Sequence, residues 1–228
     1  MPFSKFVQHW WPLPTSLDLV RGPADVVASA VLEEVTRFVN GSHLSSKWIP
    51  FDSLSRLFES VEVFTNSPTT YFVLPTHSDW TVLWNNSFLC DGYDALCWCL
   101  TNNHKLATIH WQSSDTDAVM QAGSLFTARR WLDAGVAERS VHCCKNDAQW
   151  EFHTSGEPLP DEETSRYAAR RTQDRFDERG LMELLLKMGA RPWECSFYSP
   201  GAAFRIDRLS FPPSIVCKRF GEFARKRE

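Results

Sequence analysis

Between Tyr71 and His153 the apolar residues come in short runs, each cut off by turn residues after four to seven positions. Runs of that length suit the strands of a sheet and are too short for an ordinary helix. Tyr71 to Leu74 stops at Pro75, and Thr81 to Trp84 follows, so residues 75–80 read as a hairpin loop. Leu106 to Trp111, Ser124 to Arg130, Arg139 to Cys144 and Gln149 to His153 supply four more strands. The last two are joined through Lys145-Asn146-Asp147, residues that favour tight turns.

Helical spacing frames this region. Gly22-Pro23 opens a helix on which Val27, Val31, Val35 and Phe38 share a face, with Asn40-Gly41 as its end. Shorter helices are expected over Asp52 to Ser60 and Asp91 to Asn103. Asp161 to Phe176 reads as a charged helix with i,i+4 pairs Glu162–Arg166 and Arg170–Asp174. Asp177 then caps a further helix bearing Leu181, Leu184, Leu185 and Met188, which stops at Gly189. Pro192, Pro200, Pro212 and Pro213 predict an irregular C-terminus. The expectation is one α+β domain over residues 1–228: a central, mostly antiparallel sheet, helices towards both ends, and irregular arms over 1–20 and 195–228.

The chemistry is searched for by motif. No phosphate-binding glycine pattern and no G-x-S-x-G elbow occurs. Cys97-Trp98-Cys99 is not a C-x-x-C pair, and Cys143-Cys144 would point to opposite faces of a strand. With seven cysteines and no secretory leader read at the start, reduced thiols in a cytoplasmic protein are expected. A composite zinc site from these cysteines with His104, His110, His142 and His153 has no supporting spacing, and no cofactor or metal is expected. His77-Ser78-Asp79, in the hairpin loop, reads either as an acid–base pair or as a turn held by the aspartate side chain. Arg171, Arg175 and Arg179 would form a stripe on the charged helix, interleaved with enough acid to be a solvated face.

What remains is a surface. Ten Trp and sixteen Phe are an unusual load; core packing is the ordinary use of any one of them, and aromatics also anchor interfaces. Acids sit beside aromatics at Asp79-Trp80, Asp91 and Tyr93-Asp94, with Asp115 and Asp117 following. The net charge is −4, although the last eleven residues are basic, so the body of the chain is acidic. That balance disfavours nucleic acid and suits a basic protein partner. The candidate partner-binding set is therefore Asp79, Trp80, Asp91, Tyr93, Asp94, Asp115 and Asp117.

The stretch from Trp150 to Ala190 holds Trp150-Glu151-Phe152, Ser155-Gly156-Glu157-Pro158-Leu159, Tyr167, Arg170-Arg171, Asp174-Arg175-Phe176 and a Leu-rich helix ending Met188-Gly189-Ala190. It resembles a tail found in small α+β proteins encoded beside bacterial polymorphic, contact-dependent and type VI toxins, many of them immunity proteins. The resemblance spans about 40 residues. It implies that Trp150 and Phe152 are core and that Arg170, Asp174 and Arg175 make packing salt bridges. It assigns no functional residue. It also implies a non-catalytic protein that binds a cognate toxin and occludes its active site. A phage-type inhibitor of host defence would use the same physics. A hydrolase or metal-dependent enzyme built on His77 and Asp79, with His104 and His110, is the reading from another class.

Overall fold

The computed structural model describes residues 16–39, 43–61, 63–87, 93–114, 122–210 and 214–219. Among the described residues there are eleven strands: β1 (Ser16–Arg21), β2 (Leu44–Phe51), β3 (Val63–Thr65), β4 (Thr70–Leu74), β5 (Trp80–Asn85), β6 (Thr108–Ser114), β7 (Gly123–Leu132), β8 (Gly135–Asn146), β9 (Gln149–Ser155), β10 (Gly201–Arg208) and β11 (Cys217–Arg219). The α-helices are α1 (Ala24–Phe38), α2 (Leu54–Glu59), α3 (Tyr93–His104) and α4 (Glu178–Lys187). Nine strands form one sheet in the order β2-β10-β4-β5-β1-β6-β7-β8-β9. Every neighbouring pair in it is antiparallel. β11 and β3 form a small second sheet, tied to the end of β5 by the Thr65–Ser87 bridge and by the Thr65 amide, which donates to the Asn86 carbonyl at 3.0 Å.

The sheet is covered on both faces, as side-chain alternation requires. On one face Val20, Val73, Leu83 and Ile206 pack under α1 and α3, meeting Val27, Val31, Val35, Leu96 and Leu100. On the other, Leu19, Phe72, Val82, Trp84, Trp111 and Phe126 meet α2, α4 and the segments before and after α4. β5 is buried along its whole length, Thr81 and Asn85 included, because both faces of the sheet are covered there. Asp177 caps α4 as expected, its Oδ1 accepting from the Gly180 amide at 2.8 Å.

The α+β class holds, and α3 stands between β5 and β6 where a helix over 91–103 is expected; the helices as a whole are therefore not gathered at the ends, since α1 too follows the central strand β1. Both expected arms contain sheet. β1 is central, pairing with β5 and β6, and β10 is inserted between β2 and β4. The charged helix over 161–176 does not form. Short 3-10 turns at Thr164–Ala168 and Thr172–Asp174 replace it. The cause is long-range pairing. The Glu162 carboxylate is claimed by Arg139 and Tyr167, and Arg166 turns to Asp177 and Glu183 instead of back along a helix. Without that helix the Arg171–Arg175–Arg179 stripe is also absent. Arg171 faces Asp174, Arg175 donates to the Ala169 carbonyl and lies over Phe152, and Arg179 pairs with Glu183. Among the described residues, no helix is long and apolar enough to cross a membrane.

Candidate functional site

The expected acidic–aromatic set is divided by the fold. Asp91, Asp115 and Asp117 lie outside the described residues. Tyr93 is the first residue of α3. Asp79 is at the tip of the β4–β5 loop, 78% exposed, and accepts from Arg21 Nη2 at 3.3 Å. An exposed pair of this kind contributes about 0–1 kcal/mol, so it positions rather than stabilises. Trp80 is 7% exposed and faces the core. Its Nε1 donates to the Met188 carbonyl at 2.8 Å, fastening the end of α4 to the sheet. It is therefore a wall of the site rather than a projecting anchor. Asp94 is on the face that carries α3, bonded to both Nη atoms of Arg129 at 2.6 and 3.1 Å.

The β4–β5 loop is held by hydroxyls, not by Asp79. The Ser78 amide donates to Thr76 Oγ1 and the Trp80 amide to Ser78 Oγ, both at 3.1 Å. His77 is exposed, and its amide donates to the Phe197 carbonyl. The other histidines go to separate partners: His104 Nε2 to Glu34 at 2.8 Å, and His110 Nδ1 to Asp18 at 2.6 Å. His142 and His153 stand opposite one another across β8 and β9. Among the described residues, no three His, Cys, Asp or Glu side chains group to hold a metal.

Where Asp79 and Trp80 meet the sheet, the surface opens. A cleft of about 440 Å³ runs between the ends of β6, β7 and β8 on one side and Leu159-Pro160 and Met188 on the other. A second recess of about 450 Å³ adjoins it, sharing Arg21, Trp80 and Met188 and adding Asp79. The floor is apolar, from Ile109, Ala128, Ala137 and Leu159, and Leu132 stands at the mouth 43% exposed. Of the charged residues that line it, Arg129 is paired with Glu138 and Arg139 with Glu162, and Arg21, Arg130, Glu157 and Asp161 add charge of both signs. This is an apolar concavity rimmed by charge, of the size that takes a ligand or the side chains of a partner. Of its residues the sequence reading had singled out Asp79 and Trp80. Leu132, Leu159 and Met188 come from three separated segments, and their convergence had no local signal.

Behind the cleft, on the α3 face, lies a buried polar layer. Asp18 and His110 are paired across β1 and β6, and Thr127 follows opposite His110 on β7, bonded to Ser140 at 3.0 Å. Arg129 joins Asp94 to Glu138, with Nε 2.6 Å from the latter. Burial, and then the Asp18 carboxylate, push the Cys97 thiol far up, so this cysteine stays protonated and is a poor nucleophile. No family model, curated protein or solved structure matches this chain.

Proposed function

We propose that this chain is a non-catalytic binding protein of the immunity type, which neutralises a protein toxin by covering its active site. The observation that carries the reading is the apolar cleft with its charged rim. A hot-spot side chain from a partner would seat between Leu132 and Leu159, and Asp79, Glu157 and Asp161 would meet basic groups around it. The original acidic set would have acted as one patch. Asp79 and Asp94 lie on different faces, so the cleft, with Asp79 at its margin, is the better centre. Inhibition then follows from occlusion and needs no turnover.

The histidine-based enzyme reading loses support from the same geometry, because His77, His104 and His110 each engage a different element. A toxin and a host-defence protein remain separable only by identifying what is bound.

The test is capture of the tagged chain from its host under rising salt, in parallel with Leu132→Asp. The wild type should retain one stoichiometric protein. Leu132→Asp places a charge in the apolar mouth and should weaken binding by about 2 kcal/mol, roughly thirtyfold in Kd. Unchanged retention by the variant would remove the cleft from the account.

A further inference from the structure

Asp18 is an unusual residue for the middle of a central strand. It is fully buried, and its Oδ2 has no hydrogen-bond partner. Its other oxygen meets His110 Nδ1 at 2.6 Å, and that ring is itself almost wholly buried. A buried carboxylate is tolerated only when charge or hydrogen bonds compensate it. Here the imidazole supplies the charge and one hydrogen bond, and the Cys97 thiol lies against the carboxylate as a second donor. Above this pair sits α3. Its Cys97 side chain is fully buried against Asp18, its Cys97 carbonyl accepts from Thr108 Oγ1 at 3.4 Å, and its Asp94 is clamped by Arg129.

We propose that Asp18 and His110 form a pH-sensitive latch that holds α3 on the sheet and loosens it when the imidazole loses its proton. With the ring charged, the pair is neutral overall and α3 closes over it. With the ring neutral, the carboxylate keeps its hydrogen bonds but loses its counter-charge under α3, and opening α3 to water relieves the unpaired charge.

The electrostatics support the direction. Burial works against the charged ring, but the Asp18 carboxylate at hydrogen-bond distance, followed by Asp94, outweighs it and raises His110 above 6.5. A group raised in the closed state contributes stability that is complete below its open-state value and is lost as pH rises through the closed-state value. Burial holds the Asp18 carboxyl above 3.8, with the His110 ring and the Cys97 thiol opposing, so the proton released on opening belongs to the pair; the groups around the pair do not mimic this between pH 6.5 and 8. His142 on β8 is shifted down by burial and by His153, so its contribution is already complete above 6.5. The Cys97 thiol, ordinarily at 9.0 and higher here, stays protonated in this window. Arg129 on β7 is shifted further up and remains cationic, with Asp94 and Glu138 committed to it.

Cys97 provides the readout, because it can be alkylated only when α3 opens. The rate at Cys97, resolved by mass spectrometry, is divided by the rate in the denatured chain at the same pH, which removes the change in thiolate fraction. Protection should fall between pH 6.5 and 8, approaching about tenfold per pH unit, the limit for one proton released on opening. Asp18→Asn should flatten the dependence. Should that variant fail to fold, the wild type still decides the matter by NMR. The His110 ring and the α3 amides should then titrate with one midpoint above 6.5. Protection that is constant with pH, a slope unchanged in Asp18→Asn, or α3 amides indifferent to the His110 titration would overturn the proposal.

Discussion

Glu162→Ala is expected to destabilise the chain by about 3–5 kcal/mol, read as a lower denaturant midpoint with little change in slope. The Glu162 side chain is 1% exposed and that of its partner Arg139 is 6% exposed. Arg139 Nε donates to Glu162 at 3.0 Å, and its Nη1 donates to the carbonyls of Ser155 and Gly156. Tyr167 Oη and the Leu159 amide complete the carboxylate's shell at 2.6 and 2.9 Å. Removing the carboxylate leaves a guanidinium in the interior without its counter-charge, and leaves a phenol and an amide without their acceptor. The cost of that orphaned charge is the larger part. Arg139→Met combined with Glu162→Leu should therefore recover much of the loss. If the double variant were as unstable as Glu162→Ala, the penalty would lie in packing and not in charge.

The same network sets an acid limit. Burial raises the Glu162 carboxyl, but its bonds from Arg139, Tyr167 and Leu159 outweigh burial and hold it below 4.5. A carboxyl lowered by folding contributes stability that is complete above about its unfolded value and lost as pH falls through the folded one. Acid unfolding should begin below about pH 4.5, and Glu162→Ala should lose that component of it.

Gly156→Ala is the second large effect, expected to exceed about 3 kcal/mol. Gly156 has φ +74°, in the left-handed region, and a Cβ built on it would overlap the Glu138 carbonyl oxygen. The neighbour is strand backbone, which cannot rotate away as a side chain would. Its own carbonyl also receives Arg139, so displacement would disturb the buried pair. Gly189 is the control, with φ +76° but open space around its would-be Cβ. Gly189→Ala should cost only about 1 kcal/mol, the conformational part alone. Thermal melts of the two variants compare them directly. Equal losses would mean that the contact with β8 carries no cost.

These two sites show where the sequence was legible and where it was not. Asp177 as a cap, the Val27–Val31–Val35 part of the α1 face (Phe38, expected on it, is exposed) and the 71–85 hairpin are readable because each is decided within one turn or one strand pair. The segment from Asp161 to Phe176 misled because its charges matched helical spacing, whereas Glu162 answers to Arg139, 23 residues earlier. β10 was missed because it pairs with β2 and β4, which precede it by more than 120 residues. Its alternation of Phe204 and Ile206 with Arg205 and Asp207 was nonetheless present. β1 was hidden by Asp18, a polar residue in a buried strand, and that same residue is the one the fold uses under α3. Trp80 reads as a surface anchor only because it follows Asp79. Its alternation with Val82 and Trp84 was the better guide, since all three lie in one core cluster.

The most direct test of the binding account places a photo-crosslinking amino acid at position 132, at the mouth of the cleft, and at position 209 as an exposed apolar control. Both proteins are irradiated in the native host and the adducts identified. The account predicts one protein adduct from position 132 and none of that mass from position 209. An adduct formed equally from both positions, or from 209 alone, would place the partner elsewhere and contradict the cleft as the functional surface.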